Sequence, residues 1–187
     1  NIPVTVKTRI GWNNNDKSID NFVLRLQDAG VNMLTIHGRT REQGFSGKAD
    51  WETIAKLKEI VDIPLIANGD ICSGSDAIDC LNKTNADGVM IGRGVLGAPW
   101  LIGEIDSALE GYKSFKKPST TEKLELIVEH LDELTDKKGN HGLLIARKHI
   151  NWTCKEFPGA NNLKKDLLKA KTAEKVKDLI FRTISSM

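Results

Sequence analysis

Two short apolar runs that end in glycine and polar residues decide the fold class: PLIANGDICSG (64–74) and GVMIGRGVLG (88–97). Each starts with a few apolar residues of the kind that a buried parallel strand needs. Each then stops at a turn, NGD (68–70) in the first run and GRG (92–94) in the second. A helix is predicted after each turn, over about 75–83 after the first. The two runs therefore predict two successive strand-then-helix units.

Two further units precede them in the chain. Residues 3–10 alternate and stop at Gly11, whereas residues 31–36 form an apolar run that stops before His37. A helix is predicted after each run, with Ser18 and Asp50 as N-caps. The first helix is predicted to end at Gly30, and the apolar faces of the two helices consist of Ile19, Phe22, Val23 and Leu26, and of Ile54, Leu57 and Val61.

Four consecutive units of this kind indicate an α/β fold with a parallel sheet, because parallel strands need helical crossovers. Two architectures compete, a doubly wound open sheet and part of a TIM (β/α)8 barrel. The turn after residues 3–10 lacks the Gly-x-Gly-x-x-Gly pattern that usually follows the first strand of a doubly wound sheet. A full barrel typically needs about 250 residues. We therefore predict half of a barrel over residues 1–112, namely its second half if the two glycine turns follow its last two strands.

The C-terminal part of the chain has a different pattern. Residues 113–118 are predicted to form a linker, and Ser119 and Glu122 to form a capping box. Amphipathic stretches follow, over about 124–134, 142–155 and 173–185. Residues 119–187 are therefore predicted to form a small all-helical domain.

The composition of the chain gives no indication of a strongly basic nucleic-acid binder, a disulfide-rich protein or a membrane protein. The net charge of the 187 residues is +2, too small by itself to indicate nucleic-acid or membrane binding, although residues 118–187 carry 13 Lys and Arg against 10 Asp and Glu (+3). The three cysteines form no Cys-x-x-Cys pair, which argues against a disulfide framework and a metal site. We expect a cytoplasmic protein without a membrane span. The missing initiator Met also suggests part of a longer chain.

Polar side chains follow or lie near the ends of the predicted strands. These are Lys7, His37, the NGD turn and the GRG turn, which should converge at one edge of the sheet. A glycine turn that opens a helix presents backbone N–H groups and the positive end of the helix dipole, which suits a phosphate. Each residue also has a simpler explanation, such as a turn glycine, a solvated Arg93, a core histidine or a helix-capping Asp70.

Taken in order, five motifs resemble one known family. VKTRIGW (6–12), IHGRTREQGFSGKADW (36–51), IANGDI (66–71) and IGRGVLGAPWL (91–101) resemble the flavin-dependent tRNA-dihydrouridine synthases. RKHINW (147–152) is similar to a motif in their C-terminal helical domain. The resemblance covers essentially the whole chain. It implies an FMN enzyme that uses NADPH as reductant and converts particular uridines of tRNA to 5,6-dihydrouridine.

The resemblance also implies roles for individual residues. Lys7 would contact the flavin ring, and His37 would lie beside the ring or its chain. The ribityl phosphate would be held by Asn68, Gly69, Asp70, Gly92 and Arg93. Arg39 and Arg41 would face either the cofactor phosphate or the tRNA backbone, and the surface that grips tRNA would include Arg147, Lys148 and His149.

The family's general acid is a cysteine, which protonates C5 of the uracil ring while hydride is delivered to C6. That cysteine lies upstream of the VKTRIG segment, and Cys72, Cys80 and Cys154 do not match it. We therefore expect no catalytic residue in this chain. The isolated chain should not turn over, should bind FMN weakly and should self-associate through open barrel edges.

Two other functions remain open from the sequence. The first is a non-catalytic RNA-binding remnant that has lost the flavin. The second is another FMN- or phosphate-binding (β/α)8 oxidoreductase, against which the basic helical region with RKHINW argues.

Overall fold

The computed structural model describes residues 2–13, 15–16, 19–112 and 114–187. The predicted N-cap Ser18 and the first linker residue, Lys113, lie outside the described residues. The elements of the first part of the chain are β1 (Thr5–Arg9), α1 (Ile19–Asp28), β2 (Met33–His37), α2 (Trp51–Ile60), β3 (Leu65–Asn68), α3 (Gly74–Thr84), β4 (Gly88–Met90), a 3-10 turn (Arg93–Val95) and α4 (Leu101–Leu109). The elements that follow are α5 (Thr120–Lys138), α6 (Asn140–Thr153), α7 (Ala160–Lys169) and α8 (Ala173–Ser185).

The chain forms two compact units. The first comprises Asn1–Val95 with Leu101–Phe115, and the second comprises Leu96–Trp100 with Lys116–Met187. The short segment 96–100 thus belongs with the helices α5 to α8, although residues of the first unit flank it on both sides.

The first unit contains a parallel sheet in which the strands follow one another in chain order, β1-β2-β3-β4. The prediction of an α/β fold with a parallel sheet is therefore confirmed. A doubly wound sheet reverses its strand order at a switch point, whereas the described strands show no reversal.

The two faces of the sheet differ in character because successive side chains of a strand point to opposite sides. On one face, Leu34, Ile36 and Leu65 are fully buried and share an apolar core with Ile54 and Leu57 of α2. Burying a side chain of this size contributes about 1.5–3 kcal/mol. Because these side chains pack against the helices, the alternate residues of each strand must point to the opposite face of the sheet. The predicted apolar face of α1 is wrong at Phe22, whose side chain is 44% exposed.

Several predicted helix ends are confirmed. The Asp50 carboxylate accepts a hydrogen bond from the Thr53 N–H of α2 at 2.9 Å. Gly30 adopts a positive φ of 88° after α1. Ser119 and Glu122 form the predicted capping box of α5.

One expectation about the glycine turns is wrong. The GRG turn does not open an α-helix, because it is followed by a 3-10 turn and α4 begins only at Leu101. The helix predicted over about 75–83 is confirmed as α3, but residues 71–73 separate it from the NGD turn. Neither turn therefore forms the first turn of an α-helix, and the helix-dipole argument for phosphate binding does not apply to them directly.

The second unit is helical and has its own core, which includes Leu131, Ile150, Leu167 and Ile180. The sequence patterns missed α7, which carries only a narrow apolar stripe of Ala160, Leu163 and Leu167 among lysines and asparagines. In the described parts of the chain, none of the helices is long and apolar enough to cross a membrane.

Gly38 provides a test of how tightly the segment after β2 is closed. A Cβ at this position would lie 2.9 Å from the backbone N and O of Asp50, and the Asp50 N–H already donates to the Gly38 carbonyl at 2.6 Å. Because backbone atoms cannot move aside cheaply, we expect Gly38→Ala to lower the free energy of unfolding by about 2 kcal/mol. Urea unfolding measures this change.

Gly92→Ala is the matched control, because the nearest atom to its added Cβ would be 3.9 Å away. Its free energy of unfolding should stay within about 0.5 kcal/mol of the wild type. Equal losses in the two variants would contradict the proposed close approach at Gly38.

Candidate functional site

The ends of the four strands bring polar residues together on the face of the sheet that lies opposite the core. The register pairs Arg9 with His37, His37 with Asn68, and Asn68 with Met90. Paired residues of parallel strands point to the same side, and Lys7, two residues before Arg9, shares that side. These residues line a cleft of about 630 Å³. The cleft is lined by Lys7, Arg9, His37, Arg39, Phe45, Asn68, Gly69, Asp70, Ile71, Cys72, Met90, Gly92, Arg93 and Gly94.

The cleft therefore unites all the residues predicted to bind the cofactor. Arg41 lies outside it, is exposed, and lines a neighbouring hollow together with Lys7 and Trp12. Whether these residues bind a ligand stays a prediction.

The cleft carries more positive than negative charge. Four cationic side chains line it, against the single carboxylate of Asp70. Partial burial and the neighbouring Arg9 lower the pKa of Lys7. Burial, Arg41 and Arg39 lower the pKa of Arg9. An anionic ligand would relieve this mutual repulsion.

His37 is neutral at physiological pH in this setting. Its side chain is buried, with 7% of the residue exposed. Burial, together with Arg9, Lys7 and Arg39, lowers the pKa of His37 to about 4, against a smaller opposing effect of Asp70. The imidazole can therefore both donate and accept a hydrogen bond, and it adds no charge to the cleft.

An ion pair between Arg39 and Asp70 joins the segment after β2 to the end of β3. Two nearly equal contacts of 2.7 and 2.8 Å link the guanidinium to the carboxylate. Arg39 also donates to the carbonyl oxygens of Ser46 and Gly47, and its side chain is only 3% exposed. Because its guanidinium is so fully engaged, Arg39 is better placed to hold this segment than to contact RNA.

Asp70 is held from two sides. Its carboxylate also accepts a hydrogen bond from the Ala49 N–H at 2.7 Å. Burial alone would raise the pKa of Asp70, but the Ala49 N–H, Arg39 and Arg93 together lower it. The Asp70 carboxylate therefore already binds groups of the protein. A phosphate bound at the NGD turn would have to contact the backbone of the turn rather than this carboxylate.

The glycines of the two turns have different surroundings. An added Cβ at Gly69 would lie 2.8 Å from the Ala49 Cβ, and one at Gly94 would lie 2.7 Å from the Ile71 carbonyl. Packing therefore requires these two glycines. Gly92 instead faces open space, with the Asn68 amide nitrogen 3.9 Å from the added Cβ. The backbone at Gly92 is thus open to a ligand.

Arg9 and Phe45 are among the cleft residues that the sequence patterns missed. The Arg93 guanidinium lies 4.1 Å from the centroid of the Phe45 ring, and that of Arg9 lies 5.9 Å from it. Among the residues that the structure describes, Arg93 forms no ion pair. Both missed residues stood within the quoted motifs, but no local pattern indicated that they meet.

The three cysteines differ in their exposure and in their position relative to the cleft. Burial raises the pKa of Cys80 and of Cys154 to about 11, so both are neutral thiols. Cys72 is exposed and lies at the cleft. Within the described ranges, no group of three or more His, Cys, Asp or Glu side chains could hold a metal ion.

The three residues predicted to bind RNA in the second unit have unequal surroundings. Arg147 donates to the Ala170 carbonyl at the end of α7 at 3.1 Å. The His149 ring packs edge-on against His130 and Trp152, and burial, His130 and Lys148 lower its pKa. Lys148 is exposed to solvent. Of the three, Lys148 is the one most available to a partner.

Comparisons with known proteins show relatives of this chain. "Probable tRNA-dihydrouridine synthase 1" of Synechocystis sp. is 50% identical over 185 residues, which are 99% of this chain and 52% of that protein. A "Probable tRNA-dihydrouridine synthase" of Rickettsia conorii is 45% identical over 177 residues, covering 91% of this chain and 54% of that protein. The chain thus spans about half the length of the curated relatives it matches. Among solved structures, a mandelate oxidase covers 96% of this chain and 64% of its own at 17% identity, with a TM-score of 0.43, which is too weak to support an inference.

A family model also matches the chain. The model of the dihydrouridine synthase (Dus) family matches residues 1–186, almost the entire chain. This chain therefore belongs to the dihydrouridine synthase family.

Proposed function

We propose that this chain is the FMN-binding and tRNA-binding part of a tRNA-dihydrouridine synthase, an oxidoreductase that reduces the C5–C6 bond of uridine in tRNA with NADPH. The observation that carries the proposal is the cationic cleft at the ends of the parallel strands, where Arg93 adjoins the open backbone at Gly92. The names of the relatives support tRNA as the substrate. NADPH rests on the family resemblance.

The four strand-helix units are proposed to be the second half of a (β/α)8 barrel. Consecutive parallel order is the order of a barrel. The polar face of the sheet would then point into the barrel mouth, and the GRG turn would follow the last strand, where barrels usually bind phosphate. The outer edges of β1 and β4 have no strand partner among the described residues, so residues 1–187 alone are expected to self-associate.

The cleft fits FMN in size and charge. Its volume of about 630 Å³ lies within the range of roughly 300–1,000 Å³ that is usual for small-molecule sites. Three cations, Lys7, Arg9 and Arg93, complement an anionic ligand. When bound, FMN supplies the hydride that is transferred to C6 of the uracil ring.

Several residues of the cleft have proposed roles in binding the cofactor. Arg93 and the backbone at Gly92 would hold the phosphate, and the amide of Asn68, which donates to the Met90 carbonyl at 2.7 Å, would remain fixed beside it. Lys7 would place positive charge at the flavin ring, and neutral His37 would offer a hydrogen bond. We assign Arg39 and the carboxylate of Asp70 to holding the segment after β2, rather than to phosphate or RNA.

The proton for C5 is proposed to come from outside these residues. Cys80 and Cys154 are buried neutral thiols, and Cys72 does not match the position of the family's general acid. Hydride at C6 and a proton at C5 together complete the reduction of the double bond. This chain would therefore bind and orient, while the acid would lie elsewhere in the complete enzyme.

Residues 119–187 are proposed to bind tRNA, and residues 113–118 to link them to the barrel half. Lys148 and, in the first unit, Arg41 are exposed cations suited to backbone phosphates. The target uridine must leave the base stack, because its C5–C6 bond is shielded within a helix. We expect these contacts to position the RNA while the flavin site receives the uridine.

Activity on unmodified tRNA tests the proposal. We expect the complete protein that contains these residues to form dihydrouridine in tRNA transcribed in vitro when FMN and NADPH are present. Residues 1–187 alone should form none, because the proton donor lies outside them. Mass spectrometry of nucleosides measures the product. If the complete protein binds tRNA but no flavin and forms no product, the non-catalytic remnant is the better explanation.

The pH dependence of stability tests the environment of His37. Its pKa is lowered to about 4 in the folded chain from about 6.5 when unfolded. The unfolded state therefore binds the proton more tightly, and stability is lost as the pH falls from 6.5 towards 4. Between pH 7 and pH 5 the wild type should lose about 2 kcal/mol more than His37→Gln does.

Urea unfolding at the two pH values measures this difference. The control is His141→Gln, which removes an exposed histidine of α6 and should behave like the wild type. A parallel loss of stability in the wild type and His37→Gln would show that His37 is not held neutral by the cleft.

The salt dependence of tRNA binding separates Lys148 from Arg147. Lys148→Gln should weaken tRNA binding about two- to fivefold and reduce the slope of log K against log salt by roughly one, because one phosphate contact is lost. Arg147→Gln should instead lower the melting temperature, since its bond to Ala170 is lost. Fluorescence anisotropy and thermal unfolding measure the two effects.

Lys137→Gln is the control, because the Lys137 ammonium is paired with Glu133. It should leave the salt slope unchanged. If Lys148→Gln also leaves the slope unchanged, Lys148 does not contact the RNA backbone.

A further inference from the structure

The segment after β2, residues 40–49, is fixed by side chains from two strand ends. Arg9 at the end of β1 donates to the carbonyl oxygens of Thr40 and Gly44 at 2.7 and 2.9 Å. Asp70, after β3, accepts from the Ala49 N–H. Because these partners lie 21 to 35 residues apart in sequence, side chains at the strand ends hold the segment in addition to its local hydrogen bonds, such as the one from the Gln43 N–H to the Thr40 hydroxyl.

Phe45 lies in the middle of this segment, yet its side chain is not buried. The residue is 61% exposed and lines the cleft. Apolar surface left in water contributes nothing to the stability of the core. The position of the ring is therefore not explained by core packing, although the backbone is held on either side of Phe45, at Gly44 by Arg9 and at Ser46 by Arg39.

The ring of Phe45 instead contacts the side chain that the proposed phosphate site needs. The Arg93 guanidinium lies 4.1 Å from the ring centroid, within the distance at which cations and aromatic faces attract. Arginine has many rotamers, so ordering it upon ligand binding carries an entropic cost. A guanidinium already ordered on an aromatic face avoids part of that cost.

We infer that Phe45 is a positioning residue, which holds the Arg93 guanidinium at the cleft in readiness for the phosphate of the ligand. This inference rests on the proposed flavin site. The segment 40–49 positions the Phe45 ring, the ring orders the Arg93 guanidinium, and the guanidinium binds the phosphate. The Arg9 guanidinium, 5.9 Å from the same ring, adds a second cation on this side of the cleft.

Binding of FMN and riboflavin to the complete protein tests the inference, because riboflavin has the same ring system without the phosphate. Phe45→Leu should weaken FMN binding about two- to fivefold and leave riboflavin binding unchanged. Phe45→Trp should restore the affinity for FMN, since indole retains the aromatic face. Fluorescence titration of the flavin measures both ligands.

Two further variants separate positioning from a general structural effect. In the background of Arg93→Gln, Phe45→Leu should cause no additional loss of FMN affinity, because the residue acts through Arg93. The control Phe181→Leu removes another half-exposed ring, on α8, and should bind FMN like the wild type.

The possible failures are distinguishable. If the wild type binds neither flavin, the proposed flavin site fails and the inference fails with it. If the wild type binds FMN but Phe45→Leu binds it equally well, or loses FMN and riboflavin affinity to the same extent, only the role of Phe45 is overturned.

Discussion

The ion pair between Arg39 and Asp70 is the contact on which the geometry of the cleft depends. It links the residues that follow two neighbouring strands, and the same two side chains also hold Ser46, Gly47 and Ala49. A nearly buried guanidinium is tolerated only with a carboxylate partner and satisfied hydrogen bonds. The pair thus joins the residues that follow β2 and β3, and its further hydrogen bonds support the glycine-rich segment after β2.

Alternation along the strands connects these residues to the core. Leu34 and Ile36 point towards the helices, so Thr35 and His37 must point to the opposite face. The same hydrophobic burial that determines the fold therefore also aims the polar side chains. Burial of the ring and the neighbouring cations together lower the pKa of His37, which keeps the imidazole uncharged in the cleft.

The sequence was sufficient for the strands, the capping residues Asp50 and Ser119, and most of the cleft, because those features depend on local periodicity and turn chemistry. It was insufficient for Arg9 and Phe45, whose roles depend on contacts across more than thirty residues. It also missed α7, where lysines and asparagines obscure a narrow apolar stripe. The family motifs included the two missed residues without indicating what they touch.

The segment 96–100 limits how far the chain can be treated as separable modules. It leaves the first unit after Val95 and returns to it at Leu101, so the polypeptide passes between the units three times. Gly97 is buried, and an added Cβ there would lie against the backbone of Trp152. A polypeptide that started at residue 119 would lack the backbone that packs against the end of α6 at residue 152. Dissection of the helical part at the apparent linker would therefore remove a segment that belongs to the helical unit in the intact chain.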